Sequence, residues 1–364
     1  MSDRYYFYKG RVALFAVLKA MGIGNGDEVV LPGFTCVVVP NAITYLGAKP
    51  VYADIDPSTY NIDPQKIRAK ITGKTRAVIA QHTFGIPADL EAISAIATNH
   101  NLYLIEDSCH SIGSEYKGRP VGTFGDAAFF SSQWSKPVTT GLGGWARINN
   151  QRLREKMAKT YPEFAAPSLR DDIVLRLQYF LHSALSGPSF FWFARDMYRK
   201  LSKYGIAIGS SSVDELEYRM PADYKKRMSG WQREMLERRL KEALPVIGHR
   251  KRVVSQYEKL LPGTGSKPVR LPLDYDPVFL RYPVSVRDKE RLLAAARGKR
   301  IEIGDWFLSP VHPNLEGWEK AGYRKGMCSN AEKACEQVIN LPTHSKIGNR
   351  EIERITLLLE KFGG

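Results

Sequence analysis

The sequence is poor in cysteine and has no long apolar run. Its 364 residues include four cysteines, at positions 36, 109, 328 and 335, and their spacing matches no metal-binding motif. We therefore expect reduced thiols, no disulfide framework and no metal site, as is usual in the cytoplasm. No run of 18 or more apolar residues occurs, so no membrane-spanning helix is expected. Residues 1–6 carry no apolar signal core.

Acidic residues are the scarcer charge. The chain has 53 Lys and Arg against 38 Asp and Glu, a formal net charge of +15. Such an excess indicates anionic partners, which include phosphorylated metabolites, an acidic membrane face and nucleic acid. No zinc-finger, RNA-recognition or helix-turn-helix signature is present, so nucleic acid is not expected as a partner. With 43% hydrophobic residues, the chain can bury a large core.

Two segments combine basic and apolar residues in an unusual way. Residues 225–252 contain ten Lys or Arg and three acids, a local net charge of +7. This pattern fits a clamp for the diphosphate of a nucleotide-linked sugar, and it equally fits a solvated helix face. Residues 174–204 are rich in large apolar side chains with interspersed basic residues. Their composition suits a helical hairpin on an anionic membrane surface, a lid over a site, or a subunit interface.

The first 150 residues alternate between strand-like and helix-like patterns. Repeated strand–helix–strand units predict an α/β domain with a mainly parallel sheet and helices on both faces. From about 151 to 260 the chain is predicted to be helical and basic, and a smaller α+β pattern follows. The predicted domains are therefore 1–260 and 261–364. Predicted strands of the first part are 28–32, 50–56, 77–82, 102–107, 127–131 and 145–149, and predicted helices are 12–21, 37–46, 63–71 and 90–99.

A lysine and an acid lie about thirty residues apart in this first part. Lys136 precedes the glycine-rich run 139–144, and Asp107 ends an apolar strand. In a parallel sheet, ligands bind at the carboxyl ends of strands, where Asp107 is expected to lie. A lysine can bind pyridoxal phosphate as a Schiff base, and an aspartate can keep the pyridine nitrogen protonated. Without further motifs, a surface position for Lys136 and a helix N-cap role for Asp107 explain the two residues equally well.

Further motifs give the chain a resemblance to the DegT/DnrJ/EryC1/StrS family of sugar aminotransferases. The resemblance implies a pyridoxal-phosphate enzyme of the aspartate aminotransferase fold, known as fold type I. It also implies a homodimer in which each subunit completes its partner's site. The motifs are dense in 22–32, 46–51, 54–57, 61–64, 85–89, 106–108, 118–126 and the Lys136 segment, and weaker in 227–232, 281–286, 310–312 and 341–342.

The resemblance assigns roles at four positions. Lys136 would hold the cofactor covalently and carry the proton between donor and acceptor carbons. Asp107 would pair with the pyridine nitrogen. His110, where relatives often have glutamine, would donate a hydrogen bond to the phenolic oxygen. Ser131 would donate a hydrogen bond to the cofactor phosphate.

Other positions depart from the family pattern. The backbone amides of Arg11 and Val12 would form the anion-binding start of the first helix. Arg11 replaces a usual threonine and adds a guanidinium that can clamp the phosphate. Cys36 replaces an aromatic residue that stacks on the cofactor, so either Phe34 substitutes for it or the stacking is weaker. Lys225 replaces an asparagine that reaches the neighbouring subunit's phosphate.

The function implied by the resemblance is transamination. An amino group would pass from glutamate or glutamine to a keto-sugar, carried on a nucleotide, in surface-polysaccharide or secondary-metabolite biosynthesis. His312 is a candidate substrate contact or a structural loop residue. One alternative is a catalytically inactive binding or regulatory protein, indicated by the changes at Arg11, at Cys36 and at Leu142, which replaces the glutamate of the family's usual Gly-Glu-Gly-Gly run. Another is a transaminase acting on a sugar acid or lipid-linked sugar. We expect a cytoplasmic protein, peripheral at the inner membrane face if residues 174–204 bind lipid.

Overall fold

The structure is a computed structural model that describes residues 2–185 and 211–363. The strands are β1 Arg4–Phe7, β2 Glu28–Pro32, β3 Thr35–Cys36, β4 Lys49–Ala53, β5 Thr75–Gln81, β6 Tyr103–Asp107, β7 Glu115–Tyr116, β8 Arg119–Pro120, β9 Ala127–Ser131, β10 Gly144–Ile148, β11 Lys267–Pro268, β12 Tyr275–Asp276, β13 Arg281–Ser285, β14 Val311–His312 and β15 Val338–Pro342. The described α-helices are α1 Gly10–Met21, α2 Val38–Thr44, α3 Pro64–Arg68, α4 Leu90–Asn99, α5 Gln151–Thr160, α6 Leu169–Leu185, α7 Val213–Leu216, α8 Gly230–Lys241, α9 Leu244–Leu260, α10 Lys289–Gly298, α11 Ser329–Gln337 and α12 Asn349–Phe362.

A seven-stranded sheet forms the centre of the fold, in the order β4-β2-β5-β6-β9-β10-β1. The first five strands are parallel, β10 is antiparallel to β9, and β1 is antiparallel to β10. The inner parallel strands are buried on both faces, which explains their continuous apolar runs. The predicted fold class is confirmed. The edge strand β1 was not predicted, because its four residues carry no turn signal and pair with residues about 140 positions away.

Helix α1 is buried almost all round. Of its twelve residues only Lys19 is not buried, since the helix lies between the sheet and neighbouring helices. Gly22 ends the helix with φ 81°, a left-handed conformation that favours glycine. The other end of α1 is fixed against β10, because a Cβ on Gly144 would lie 2.3 Å from the Cα of Gly10. The amino end of α1 is therefore held beside the carboxyl ends of the strands.

A buried carboxylate fixes the turn that follows β8. Glu106, in strand β6, accepts hydrogen bonds from the backbone N–H groups of Gly122 (2.6 Å), Phe124 (2.7 Å) and Gly125 (2.8 Å), and His82 Nε2 lies 3.2 Å away. Burial alone would raise the pKa of Glu106, but His82 and the amides outweigh burial and lower it. Glu106 is thus a structural acid, while its neighbour Asp107 faces the other way along the strand.

The C-terminal part contains a small antiparallel sheet in the order β11-β13-β15. Helix α9 packs on it: Tyr257 donates to the carbonyl of Pro342 (3.0 Å), and the buried Arg250 donates to the carbonyl of Leu280 (2.8 Å) and to Thr343 Oγ1 (2.6 Å). The predicted domain boundary after residue 260 stays a prediction, and the helix that precedes it contacts the smaller sheet.

The basic residues of segment 225–252 have separate partners. Lys226 pairs with Asp171 at 2.7 Å, and Lys251 pairs with Asp276 at 2.6 Å. The guanidinium of Arg250 is buried among carbonyl groups. These three cations serve different local contacts, and a diphosphate clamp formed by other residues of the segment stays a prediction.

Residues 174–185 of segment 174–204 belong to helix α6. Residues 186–204 of the segment lie outside the described residues. Arg176 on this helix pairs with Asp172 at 2.7 Å. In the parts of the chain that the structure describes, no helix is both long and apolar enough to cross a bilayer. Large apolar side chains are nevertheless exposed along α6, at Leu169, Ile173, Leu177, Phe180 and Leu181.

Candidate functional site

A cavity of about 260 Å³ opens at the carboxyl ends of β5, β6 and β9. The amino end of α1 forms one wall, and the loop around residues 306–313 forms another. Strand β14 pairs with β3 in parallel, which places His312 beside Cys36 in register. Seven of the ten residues predicted for the site line this cavity: Arg11, Cys36, Asp107, His110, Ser131, Lys136 and His312.

Asp107 ends β6 and is almost fully buried, with 7% of its surface exposed. Its Oδ1 accepts a hydrogen bond from the backbone N–H of Cys109 at 3.0 Å. Burial raises the pKa of Asp107 above its ordinary value, although this hydrogen bond and the nearby Lys136 oppose the rise. A carboxylate in such a place gains most from a cationic partner bound in the cavity.

Lys136 lies in the loop between β9 and β10. Hydrogen bonds between Ser132 and Thr140 of this loop hold its two ends together. Ser132 Oγ and Thr140 Oγ1 are 2.7 Å apart, and the backbone N–H of Thr140 donates to the carbonyl of Ser132 at 2.9 Å. Gly143 (φ 155°) allows the close approach, because a Cβ there would lie 2.3 Å from Ser132 Oγ. Burial lowers the pKa of Lys136, while Cys109 and Asp107 oppose the change. The amine is therefore nearer to neutrality than an exposed lysine.

The amino end of α1 carries a buried ionic cluster. Arg11 Nη1 pairs with Glu215 Oε1 at 2.7 Å, and Lys9 Nζ lies 3.4 Å from Glu215 Oε2. Arg11 Nη1 also donates to Ser211 Oγ at 3.1 Å. With two cations and one anion, the cluster has a net positive charge, and the helix end adds further positive potential. This wall of the cavity is suited to an anion such as phosphate.

Two histidines line the opposite wall with Trp306. His110 Nδ1 accepts from the backbone N–H of Phe84 at 3.3 Å, so the proton of the neutral ring is on Nε2 and can be donated. The His110 and Trp306 rings stack at 5.5 Å with an 18° interplanar angle. Burial lowers the pKa of His110 well below its ordinary value and lowers that of His312 to about 4. Both rings are neutral at physiological pH.

Three residues predicted for the site lie outside the cavity lining. Phe34 is fully buried and packs edge-on against Phe307 at 4.7 Å between centroids. The backbone N–H of Val12 donates to the carbonyl of Lys9 at 3.1 Å. Lys225 extends over the Phe15 ring at 5.6 Å. Its predicted contact with a neighbouring subunit's phosphate stays a prediction.

Comparisons with known proteins agree with this geometry. The DegT/DnrJ/EryC1/StrS aminotransferase family matches residues 7–360. The chain belongs to this family. GDP-perosamine synthase of Caulobacter vibrioides is 34% identical over 230 residues, which are 63% of this chain and 56% of that protein. A pleiotropic regulatory protein of Geobacillus stearothermophilus is 29% identical over 357 residues, 97% of this chain and 83% of that protein. The structure of Spr1654 from Streptococcus pneumoniae in its PLP form has a TM-score of 0.76 at 21% identity, covering 98% of this chain and 86% of that one.

The predicted family and its aminotransferase class are therefore confirmed, and pyridoxal phosphate is confirmed as the family's cofactor. The matched segment spans about half the length of the Caulobacter relative. The residues of the cavity fit this cofactor: a partly buried amine, a buried acid and a positively charged helix end surround one cavity. Lys136 would bind the cofactor aldehyde, Asp107 the pyridine nitrogen, and Arg11 and Ser131 the phosphate.

Three residues that the sequence reasoning missed belong to the site or support it. Gln81 lines the cavity and accepts from Thr35 Oγ1 at 2.6 Å. Trp306 also lines the cavity. Its ring stacks with His110, and the Nζ of Lys136 is 5.7 Å from its centroid. Glu215 holds Arg11. The one sequence signal for Glu215 is the Ser212–Glu215 capping box, which predicts a helix start and no ionic role.

Proposed function

We propose that this chain is a pyridoxal-phosphate aminotransferase that moves an amino group from glutamate or glutamine to a keto-sugar carried on a nucleotide. The observation that carries the proposal is the convergence of Lys136, Asp107 and the amino end of α1 on one buried cavity. A surface lysine or a helix N-cap would not place both groups at the carboxyl ends of neighbouring strands.

The protein's own residues perform defined tasks in this reaction. When bound, the cofactor supplies an aldehyde that accepts the amino group and a ring that withdraws electrons. Lys136 would hold the cofactor aldehyde, and its amine, when free, would be the group that carries the proton between donor and acceptor carbons. Asp107 keeps the ring nitrogen protonated by its negative charge. The Nε2–H of His110 would be the donor for the phenolic oxygen, and neutral His312, which also lines the cavity, would contact substrate hydroxyls.

The nature of the sugar is supported by the name of a relative and by the net charge of the chain. The Caulobacter relative is a GDP-perosamine synthase, so a nucleotide-linked sugar is a known substrate class among similar chains. The net charge of +15 favours an anionic substrate of this kind. The setting that we propose is surface-polysaccharide biosynthesis, with secondary metabolism as the second choice.

The half-reactions test this function directly. We expect the purified protein loaded with pyridoxal phosphate to lose its visible absorbance on addition of L-glutamate or L-glutamine, because the amino group passes to the cofactor. GDP-linked or TDP-linked keto-sugars should restore the absorbance and yield an amino-sugar by mass spectrometry. A protein that binds the cofactor but bleaches with neither donor would contradict the proposal. That result would favour a regulatory role, as the Geobacillus relative's name describes for that protein.

We also propose that the exposed stripe of α6 contacts a second copy of the chain. Ion pairing of Arg176 with Asp172, and of Lys226 with Asp171, neutralises basic groups that an anionic membrane would need. The apolar side chains remain, and a partner subunit can cover them. Because the resemblance implies a homodimer with shared sites, we propose a second copy of this chain as the partner.

Replacing Phe180 and Leu177 by aspartate should therefore shift the protein from dimer to monomer in light scattering. Lys156→Asp, an exposed change on α5, is the matched control and should leave the mass unchanged. Sedimentation with anionic liposomes separates the alternatives. Lipid binding that the α6 variant loses, with the dimer intact, would overturn the subunit interface and establish membrane contact.

A further inference from the structure

Residues 305–307, which bring Trp306 into the cavity wall, are held from behind by two buried side chains. The three successive carbonyl groups of this stretch all accept side-chain hydrogen bonds. Lys289 Nζ donates to the carbonyls of Asp305 (3.4 Å) and Phe307 (3.1 Å). Asn340 Nδ2 donates to the carbonyl of Trp306, which lies between them in the chain (2.6 Å). The backbone is therefore fixed at three consecutive residues.

Lys289 is a buried lysine whose partners are carbonyl groups. Its surface is 6% exposed, and its third hydrogen bond goes to the carbonyl of Cys335 at 2.7 Å. That carbonyl lies in the last turn of α11, where carbonyl groups have no partner within the helix. An ammonium group has three donors, and three carbonyls accept them. In the described part of the chain, no carboxylate forms an ion pair with Lys289.

The burial of the Lys289 ammonium costs free energy, because no carboxylate compensates its charge. A methionine or leucine of similar size would fill the same space without this cost. What the lysine alone supplies is a set of hydrogen bonds, and two of the three end on residues 305–307. The side chain therefore serves the backbone of this stretch rather than the packing of the core.

The stretch that Lys289 holds is connected to the groups expected to touch the cofactor. The ring of Trp306 stacks with the His110 ring at 5.5 Å between centroids, and its centroid is 5.7 Å from Lys136 Nζ. Just beyond the stretch, the backbone N–H of Leu308 donates to His312 Nδ1 at 3.1 Å. A shift of the backbone at residues 305–307 would therefore move one wall of the cavity against both His110 and Lys136.

We propose that Lys289 is a positioning residue for the aminotransferase reaction, which holds residues 305–307 so that the Trp306 ring fixes the orientation of His110 and Lys136. Lys289 is not among the described residues that line the cavity, so it acts through the Trp306 backbone. The consequence for the rate rests on the proposed function. The effect on the Trp306 wall does not, because it concerns the protein without cofactor or substrate.

Fluorescence of the cofactor-free protein tests the hold on Trp306. Lys289→Met keeps the buried stem and removes the donors, so we expect acrylamide to quench Trp306 more strongly. The chain has six tryptophans, so each protein is compared with its Trp306→Phe counterpart, and the difference gives the share of Trp306. Lys299→Met, an exposed change directly after α10, is the control and should leave quenching unchanged. Unchanged Trp306 quenching in Lys289→Met, or an equal increase in the Trp306→Phe background, would overturn the proposal.

The glutamate half-reaction tests the consequence for the rate. In Lys289→Met its maximal rate should fall about 10- to 100-fold, with little change in the half-saturating donor concentration, because a small displacement of reacting groups mainly slows the chemical step. Asn340→Ser, which releases the carbonyl of Trp306, should show the same pattern. The double variant should lose less than the product of the two single losses, since both side chains act on one stretch of backbone.

The possible failures are distinguishable. Lys289→Gln, which keeps two donors on a shorter side chain, is measured in parallel, and unfolding midpoints show which variants are folded. Single losses that multiply in the double variant, or a maximal rate unchanged in folded Lys289→Met, would overturn the positioning role. If wild-type protein is bleached by neither donor, the proposed function has failed, and the quenching comparison still decides whether Lys289 holds the Trp306 wall.

Discussion

Replacing Lys136 by alanine should reduce the glutamate half-reaction by at least about 10³-fold, within the range for loss of a positioned acid–base group. The reason is the geometry of the cavity, which Lys136 lines together with Asp107 and the amino end of α1. The variant should also lack the visible band of lysine-bound cofactor. Stopped-flow absorbance on the pyridoxal-phosphate-loaded variant measures both effects.

The same residue predicts a pH dependence. Burial lowers the pKa of Lys136, so in the unloaded protein a neutral amine becomes available at lower pH than for an exposed lysine. Only the neutral amine attacks the cofactor aldehyde. The rate of cofactor attachment should therefore rise with pH and level off below the ordinary lysine value of about 10.4.

A control variant separates the catalytic role from a general loss of charge. Lys156→Ala removes an exposed lysine on α5 and should keep both the visible band and the half-reaction. An Lys136→Ala protein that keeps the band and is bleached by glutamate at the wild-type rate would show that another amine holds the cofactor. Lys9 is then the candidate to test, because its side chain is 18% exposed and shares Glu215 with Arg11 at the amino end of α1.

The parts of the fold that the sequence predicted well are those with strong local signals. Helix α4 begins after Asp89, which caps it, and strands β2 and β9 are short apolar runs, so their limits were predicted to the residue. Lys136 and Asp107 were predicted to share one site because parallel strands end at one edge of a sheet, and both residues line the same cavity. That rule turns two separated sequence positions into neighbours.

The parts that the sequence did not predict depend on distant pairing. Strand β1 exists because it pairs with β10, and no feature within its four residues signals this. Arg281 and Trp306 meet through the small sheet and the loop after it. Phe34 was predicted to contact a ligand. In the structure its ring packs against Phe307, and no residue near Phe34 in the sequence signals this contact. Such contacts follow from packing, which local patterns do not encode.

Glu215 belongs to the same group of unpredicted residues, and it gives the largest expected effect on stability. It is 1% exposed and is the acid that faces the buried Arg11 and Lys9. Replacing it by glutamine should lower the free energy of unfolding by about 3–5 kcal/mol at pH 7, the cost of breaking a buried ion pair. The amide preserves the shape and the capping acceptor for Ser212, so the loss reports the missing charge. Urea unfolding of both proteins measures the difference.

The pH dependence has a definite sign. Burial would raise the pKa of Glu215, but Arg11 and Lys9 outweigh burial and lower it. Its stabilisation is therefore complete above the unfolded value of about 4.3 and is lost as the pH falls through the lowered folded value. The gap between wild type and Glu215→Gln should close over that acidic range.

A matched control lies on the same short helix. Asp214 pairs with Arg219 at 2.9 Å, and both side chains are about half exposed, so Asp214→Asn should cost less than about 1 kcal/mol. Equal effects of the two variants would show that Arg11 does not depend on Glu215.

If Arg11 does depend on Glu215, the cluster in the Glu215→Gln variant holds two uncompensated cations at the helix end proposed to bind phosphate. Inorganic phosphate should then restore more stability to this variant than to wild type, because an anion that binds only the folded state stabilises it.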